Sequence, residues 1–346
     1  MGRRVLVTGI GTFWGGRVAE ALERDPGVDV IVGLGARAPS VELERTEYVK
    51  ADESYSILSR IVRATGVDTI VHTFLAVDSS QVSSRQMHET NVIGTMNLFA
   101  AASQPESRVR NVVVKSSTLV YGSNHADPAW FAEDSRRSAR PRHRVERSLL
   151  EVEGYVRDYA ADNPGVTVSL LRFSNVLGRD IVTPLTRALE APLVPCVFGY
   201  DPRVQFVHER DVVRAITFVL DHDTGGTYNV AGDGVLPWSE VASICGKRLL
   251  PLPPAGRIAL SGLLHRVGID LPPEVLDLLT YGRGADNRRL VRAGFDYEFT
   301  SAGAVHAFAE ASRLRHTVGE RQPYRYERDV ENFFRHSPAV LRTPPA

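Results

Sequence analysis

The sequence predicts an α/β protein built on a doubly wound parallel sheet, and three observations carry that prediction. A β-branched apolar run, Val5-Leu6-Val7-Thr8, enters the glycine-rich turn Gly9-Ile10-Gly11-Thr12-Phe13-Trp14-Gly15-Gly16, after which Val18, Ala21 and Leu22 recur at helical spacing. Three strand-helix units follow in succession, and right-handed crossovers between parallel strands cover both faces of a sheet with helices. At 346 residues the chain is long enough to bury a full core as one large domain or two joined units.

In chain order, strand, tight turn and helix at the N-terminus make a phosphate cradle. Glycines let backbone approach an anion closely, and the free N–H groups and positive dipole end of the helix favour it. Gly9, Gly11, Thr12, Trp14 and Gly15 are its candidate residues, although Trp14 occupies the last glycine of one reading of the motif and Thr12 the middle glycine of the other. Val28 to Leu34 is the second strand. Where an acid would meet the 2′-hydroxyl of an adenosine ribose the chain carries Gly35, followed by Arg37, which favours a 2′-phosphate and therefore NADP over NAD. Tyr48 to Asp52 is a third strand, Ser54 to Thr65 a helix, and Val67 to Phe74 a fourth strand.

Gln81 to Ser103 reads as one long helix and Arg110 to Ser117 as the fifth strand, leading into Thr118-Leu119-Val120-Tyr121-Gly122. Ligands in open sheets bind beyond the carboxyl ends of the strands, so Ser117 and Tyr121 are candidate site residues. Asn124 to Arg144 is a polar loop over the site, Val145 to Ala161 a helix, and Val166 to Phe173 the sixth strand. Four prolines beyond it mark a change of organisation, with helices at Asp211 to Leu220, Trp238 to Cys245, Ile258 to Val267, Glu274 to Leu279 and Val305 to Leu314, a short strand at Tyr228 to Val230, and a proline break at Leu250 to Pro254. The tail from Gly319 is polar and aromatic, either disordered or laid over a partner subunit.

Composition narrows the functional classes. Forty-one basic and 41 acidic residues cancel and are well mixed, so neither nucleic acid nor a membrane surface is an expected partner. Cys196 and Cys245 lie far apart without ligand spacing, and the histidines form no metal pattern, so no metal is expected. The first strand begins too close to Met1 for a signal peptide, and no apolar stretch reaches the ~20 residues of a membrane span, so a cytoplasmic protein is expected. The neighbouring carboxylates Glu133-Asp134 and Glu151-x-Glu153 read as solvated faces.

Together these stretches resemble the extended short-chain dehydrogenase/reductases, the NAD-dependent epimerase/dehydratase family. The resemblance rests on the glycine turn, Asn91-x-x-Gly94-Thr95-x-Asn97-Leu98, Ser116-Ser117-x-x-Val120-Tyr121-Gly122, Leu171 to Gly178, Phe206-Val207-His208-x-x-Asp211 and Tyr228 to Gly232, in the family's order over residues 3 to 315. It implies a Rossmann unit over residues 1–178, continued by 206–233, and a smaller substrate-binding unit from 179–205 and 234–316, with 317–346 as a tail. It further implies that Gly9, Gly11, Thr12 and Gly15 face a pyrophosphate, that Asp52 meets the adenine and Asn91 shapes the site. Ser117 would bond the substrate oxygen, and Phe173, Ser174, Asn175 and Val176 would lie beside the nicotinamide.

The match fails where the family carries Tyr-x-x-x-Lys. Here His143 stands for the tyrosine and Arg147 for the lysine. A histidine can exchange a proton near neutral pH, whereas an arginine supplies charge without exchanging one. Three readings follow: His143 moves the proton, with Arg147 positioning cofactor and substrate; Tyr121 swings in as donor; or the dinucleotide is bound without hydride chemistry, in a sensing, scaffolding or redox-neutral role. An arginine that grips the diphosphate of nucleotide-sugar substrates is also displaced, since its place is Val204 with Arg203 one residue off. The expected reaction is therefore that of an NAD(P)-dependent oxidoreductase or epimerase on a small-molecule carbonyl or alcohol, with Trp130 or Phe131 lining the pocket. The helices Gln81 to Ser103 and Val145 to Ala161 would pair with a second copy in a homodimer.

Overall fold

The computed structural model describes residues 2–80, 82–254, 271–315 and 337–340. Its centre is a seven-stranded, all-parallel sheet. In chain order the first six strands are β1 (Arg3–Thr8), β2 (Val28–Gly35), β3 (Thr46–Lys50), β4 (Thr69–His72), β5 (Asn111–Ser117) and β6 (Thr167–Phe173), and Gly226–Val230 is the seventh. From one edge the order is Gly226–Val230, β6, β5, β4, β1, β2, β3. The order reverses between β1 and β4, so the loops leaving these two strands diverge and open a crevice above them.

Both faces are covered, as a run of valines and isoleucines requires. On one face Leu6, Val32, Ile70, Val112 and Val114 pack against the helices Tyr55–Thr65, Gly94–Ala102 and Arg144–Asp162. On the other, Val5, Val7, Val71 and Val113 meet the helices α1 (Phe13–Glu23) and Glu209–Asp221. Fully burying one such side chain stabilises by roughly 1.5–3 kcal/mol. A third core joins Leu177–Phe206 with residues 236–252 and 271–308 around Trp238, whose indole Nε1 donates to the Pro195 carbonyl at 2.9 Å.

Three elements depart from the sequence reading. The stretch expected as one helix from Gln81 to Ser103 is Ser84–His88, a π-helical turn Glu89–Ile93, and Gly94–Ala102, with Gln81 outside the described residues. Leu250 to Leu252, the first part of the stretch Leu250 to Pro254 read as a proline break, belongs to a strand, Arg248–Leu252, that pairs in parallel with Leu193–Val197. A two-stranded ribbon has two open edges, so Pro195 and Pro251 can sit in it without removing a ladder bond. Within the tail, Ser337–Val340 packs against the chain's own sheet: Ala339 is buried and its carbonyl accepts from Arg4 Nη2 at 2.6 Å. Ile258 to Val267 and the rest of the tail lie outside the described residues.

Candidate active site

The turn after β1 is held by its own hydroxyl. Thr12 Oγ1 donates to the Gly9 carbonyl at 2.7 Å and accepts from Gly15 N at 3.1 Å, which caps α1. Gly9 has φ +72°, and a Cβ there would stand 2.7 Å from the Phe74 Cα, so only glycine lets the turn lie against the loop leaving β4. The N–H groups of Gly11, Phe13 and Trp14 have no acceptor among the described residues. They open on a cleft of about 890 Å³ that runs across the carboxyl ends of β1, β4 and β5.

Gly9, Gly11, Thr12, Trp14, Arg37, Ser117, Phe173, Asn175 and Val176 all line this cleft. Arg37 is exposed at its rim beside Gly35. Ser117 Oγ accepts from Leu119 N at 3.2 Å, starting a single 3₁₀ turn, and its proton has no acceptor among the described residues. A hydroxyl in that state can donate to a substrate oxygen. Asn175 Nδ2 donates to the Gln205 carbonyl at 2.9 Å and so ties the Phe173–Val176 segment to the strand that begins at Phe206.

Other expected site residues sit behind the walls. Gly15 is buried, and a Cβ there would meet the Gly9 carbonyl oxygen at 2.2 Å; it tightens the turn without facing the cleft. Asn91 is fully buried in the π-helical turn, where Oδ1 accepts from Ala76 N at 2.7 Å and Nδ2 donates to the Ala76 carbonyl and Ser148 Oγ. It shapes the site through the Phe74–Val77 wall rather than by touching a ligand. Asp52 points to solvent and accepts from Ser54 N, while its neighbour Glu53 lines the cleft; burial pushes that carboxyl up.

Tyr121, His143 and Arg147, expected to carry catalysis, stand outside the cleft. Between Leu119 and Phe173 no residue lines the cleft. Tyr121 is 3% exposed, stacked on Phe131 at 4.6 Å, and its hydroxyl accepts from Arg172 Nη1 and donates to Asn229 Oδ1, both at 2.7 Å. Burial, ahead of the nearby cation, raises its pKa, and a swing into the cleft would break this whole arrangement. His143 ends the loop before the helix Arg144–Asp162, and its Nε2 bonds Asp277 Oδ2 at 2.8 Å, which raises its pKa against the opposing effect of burial. Arg147 points to solvent. On the inward face Val145 and Leu149 are core residues, so this helix offers the cleft neither a proton nor a charge. Trp130 is exposed and Phe131 buried, and neither lines the cleft.

Glu153, read as solvated, is 1% exposed and binds Arg172. The guanidinium gives Oε1 and Oε2 bonds from Nε at 3.0 and 3.2 Å and from Nη2 to Oε2 at 2.6 Å, while Ser116 Oγ donates to Oε1 at 2.7 Å.

Two cations on the cleft wall escaped the sequence reading. Lys115 is 4% exposed, and burial pushes its amine down to about 8. Its signal was present as a single charge inside Val112-Val113-Val114-Lys115, which the strand assignment absorbed. Arg283 lines the far end with Glu274, Val275 and Leu278, and burial lowers its pKa to about 10. Arg203 points to solvent as the one-residue slip implies, and Arg283, bridged to Val204, is the guanidinium that reaches the cleft instead. Nothing around Tyr281-Gly282-Arg283-Gly284 marks it in sequence.

The profile of the NAD-dependent epimerase/dehydratase family matches residues 5–231. The chain belongs to that family. An uncharacterized protein of Mycobacterium tuberculosis is 36% identical over 93% of this chain and 86% of its own length. UDP-glucose 4-epimerase 3 of rice is 31% identical over 46% of this chain and 40% of its own. Among solved structures, a UDP-glucose 4-epimerase with UDP-glucose from Thermotoga maritima superposes with a TM-score of 0.69 at 16% identity, over 90% of this chain and 99% of that one. A dTDP-glucose 4,6-dehydratase from Bacillus anthracis in complex with NAD gives 0.68 at 17%, over 91% and 98%. At those identities the likeness is one of fold. Among the described residues no cluster suits a metal, and no helix is long and apolar enough to cross a membrane.

Proposed function

We propose that this member of the family binds a nicotinamide dinucleotide along the glycine turn and acts on a small-molecule carbonyl or alcohol held between Ser117 and the helix Pro273–Tyr281. The observation that carries the reading is the single cleft joining the uncapped N–H groups of α1, the free proton of Ser117 and the Phe173–Val176 segment. When bound, the nicotinamide supplies or accepts hydride. The residues present fit it: glycines that a Cβ would block, three free donors and a buried cation line its phosphate end.

Ser117 orients and polarises the substrate oxygen. Arg283, held by the Gly122 carbonyl and Ser123 Oγ at 3.1 and 3.4 Å with no carboxylate within ion-pair distance among the described residues, faces an anionic group of the substrate. This restores the phosphate-bearing substrates that Val204 argued against, and the rice relative's name points the same way. His143 acts on the cleft only through Asp277, by positioning the helix whose Glu274, Val275 and Leu278 line it.

A second reading, dinucleotide binding without hydride chemistry, is favoured by one observation: Tyr121, His143 and Arg147 all lie outside the cleft. Turnover followed by nicotinamide absorbance with candidate ketones and nucleotide sugars separates the two. Ser117→Ala lowers kcat at unchanged dinucleotide affinity under the first reading and changes nothing under the second. Arg37 beside Gly35 supports NADP over NAD, and calorimetry with Arg37→Ala tests it: NADP binding weakens about tenfold while NAD binding holds. A clear wild-type preference for NAD overturns the NADP assignment; no binding of either at millimolar concentration overturns the whole reading. We further propose a cytoplasmic homodimer, supported by Ile93 and Met96, about 40% exposed on the helical layer beside Tyr155.

A further inference from the structure

Lys115 is a buried cation on the cleft wall that no polar group among the described residues meets. Among the described residues its ammonium has no hydrogen-bond or ion-pair partner; the contact it makes is with the ring of Trp14, whose centroid is 5.7 Å from Nζ. Burying an unpaired ammonium is unfavourable, and natural chains keep one where a ligand completes it. The side chain projects to the α1 side of the sheet, as Val113 does, while Ser116 faces Glu153 on the other.

None of the neighbouring charged groups pairs with Lys115, although Glu209 Oε2 is buried without a hydrogen-bond partner among the described residues. His72 on β4 is neutral, its imidazole pushed down to about 3 by burial and by Lys115, with Thr8 Oγ1 at 3.2 Å from Nδ1 and Thr95 Oγ1 at 2.9 Å from Nε2. Arg17 on α1 binds Glu20 and Asp180. On the helix Glu209–Asp221, Asp211 binds Arg214 and the Glu298 and Phe299 N–H groups, Arg210 binds Glu298, and Glu209 accepts from Arg179 N. On β6, Arg172 lies on the opposite face with Glu153.

We propose that Lys115 is the cationic ligand of the dinucleotide's phosphate bridge, placed by β5 against the first turn of α1 where the free N–H groups of Gly11, Phe13 and Trp14 converge. The assignment follows from position. Trp14, whose ring the ammonium meets, is the second residue of α1, directly after the glycine turn that follows Thr8, the last residue of β1. Arg17 is committed elsewhere, so α1 brings no free cation of its own to a dianion. This inference rests on the dinucleotide reading above, and it deepens that reading by naming the charge that fixes the cofactor.

The test is calorimetry of the full chain with NAD, repeated from about pH 7 to about pH 10, on wild type, Lys115→Met and Lys115→Arg. A dianion favours the charged amine, so wild-type affinity is highest below the free pKa and falls by up to about tenfold per pH unit above it until the bound pKa is reached. Lys115→Met weakens binding at neutral pH by about 10- to 100-fold and removes the slope, whereas Lys115→Arg keeps tight binding that is flat with pH. Adenosine, which lacks phosphate, binds all three proteins alike. Thermal melts report folding, and Lys115→Met melts at or above wild type because an unpaired buried charge is gone. Wild-type affinity in Lys115→Met, or a slope that survives in it, overturns the proposal and leaves the dinucleotide reading standing. Absence of NAD and NADP binding in all three proteins overturns both.

Discussion

Replacing Glu153 with alanine leaves the Arg172 guanidinium buried and unanswered, and its effect can be worked from the geometry. Arg172 is 8% exposed and Glu153 1%, and the substitution removes three bonds from the guanidinium and one from Ser116. Removing one partner of such a pair costs about 3–5 kcal/mol, chiefly through the stranded charge. At roughly 2–4 °C per kcal/mol for a domain of this size, the melting temperature falls by about 6–20 °C. Urea denaturation and thermal melts measure it, with the Glu153→Met/Arg172→Met double variant as control; removing both charges recovers most of the loss. Neither side chain lines the cleft, so NAD affinity below the transition stays within about twofold of wild type. A loss under about 1 kcal/mol in Glu153→Ala, or a double variant as unstable as the single, refutes the reasoning.

His143→Ala removes the bond to Asp277 and destabilises by about 1.5–3 kcal/mol. The folded pKa of His143 lies above its ordinary 6.5, so the contribution is complete below that value and fades as pH rises through the folded pKa. Urea midpoints near pH 5.5 and near pH 9 therefore differ between variant and wild type more at the acidic end, and equal losses at both contradict the pairing. Gly9→Ala forces a left-handed backbone on alanine and drives its Cβ into Phe74, so it lowers stability by roughly 1–3 kcal/mol and weakens NAD binding at least tenfold in calorimetry. Met96→Glu places a charge on the exposed helical layer; light scattering then reports a monomer where wild type is a dimer, and a monomeric wild type removes the dimer proposal.

The sheet was legible because its evidence is periodic: runs such as Val112-Val113-Val114 have no use outside a strand covered on both faces. That the glycine turn and Ser117 would line one cleft was legible for a related reason, since a tight turn and a strand terminus are local features. What failed depends on which way a helix faces. His143 and Arg147 were assigned by counting along the chain, and at the start of a helix a shift of two residues turns a side chain from the cleft to solvent; the inward positions there belong to Val145 and Leu149. Tyr121 and Glu153 were misread because Arg172, distant in sequence, meets both inside the core. Arg283 arrives from the far end of the chain through one bridge to Val204, and no window around it encodes that approach.

The π-helical turn at Glu89–Ile93 makes the inner wall of the cleft a matter of phase. Gly94 N bonds back five residues to the Glu89 carbonyl, so one residue more than an α-helix would accommodate is stored in this turn. That surplus residue lets Asn91 clasp both backbone groups of Ala76 while Leu98 and Phe99, further along, keep their seats in the core. Deleting any single residue from it would restore regular pitch and force a choice between the two. Site and scaffold are thus geared together through one irregular coil, and insertions or deletions that a surface helix would absorb would here be transmitted straight to the ligand's walls.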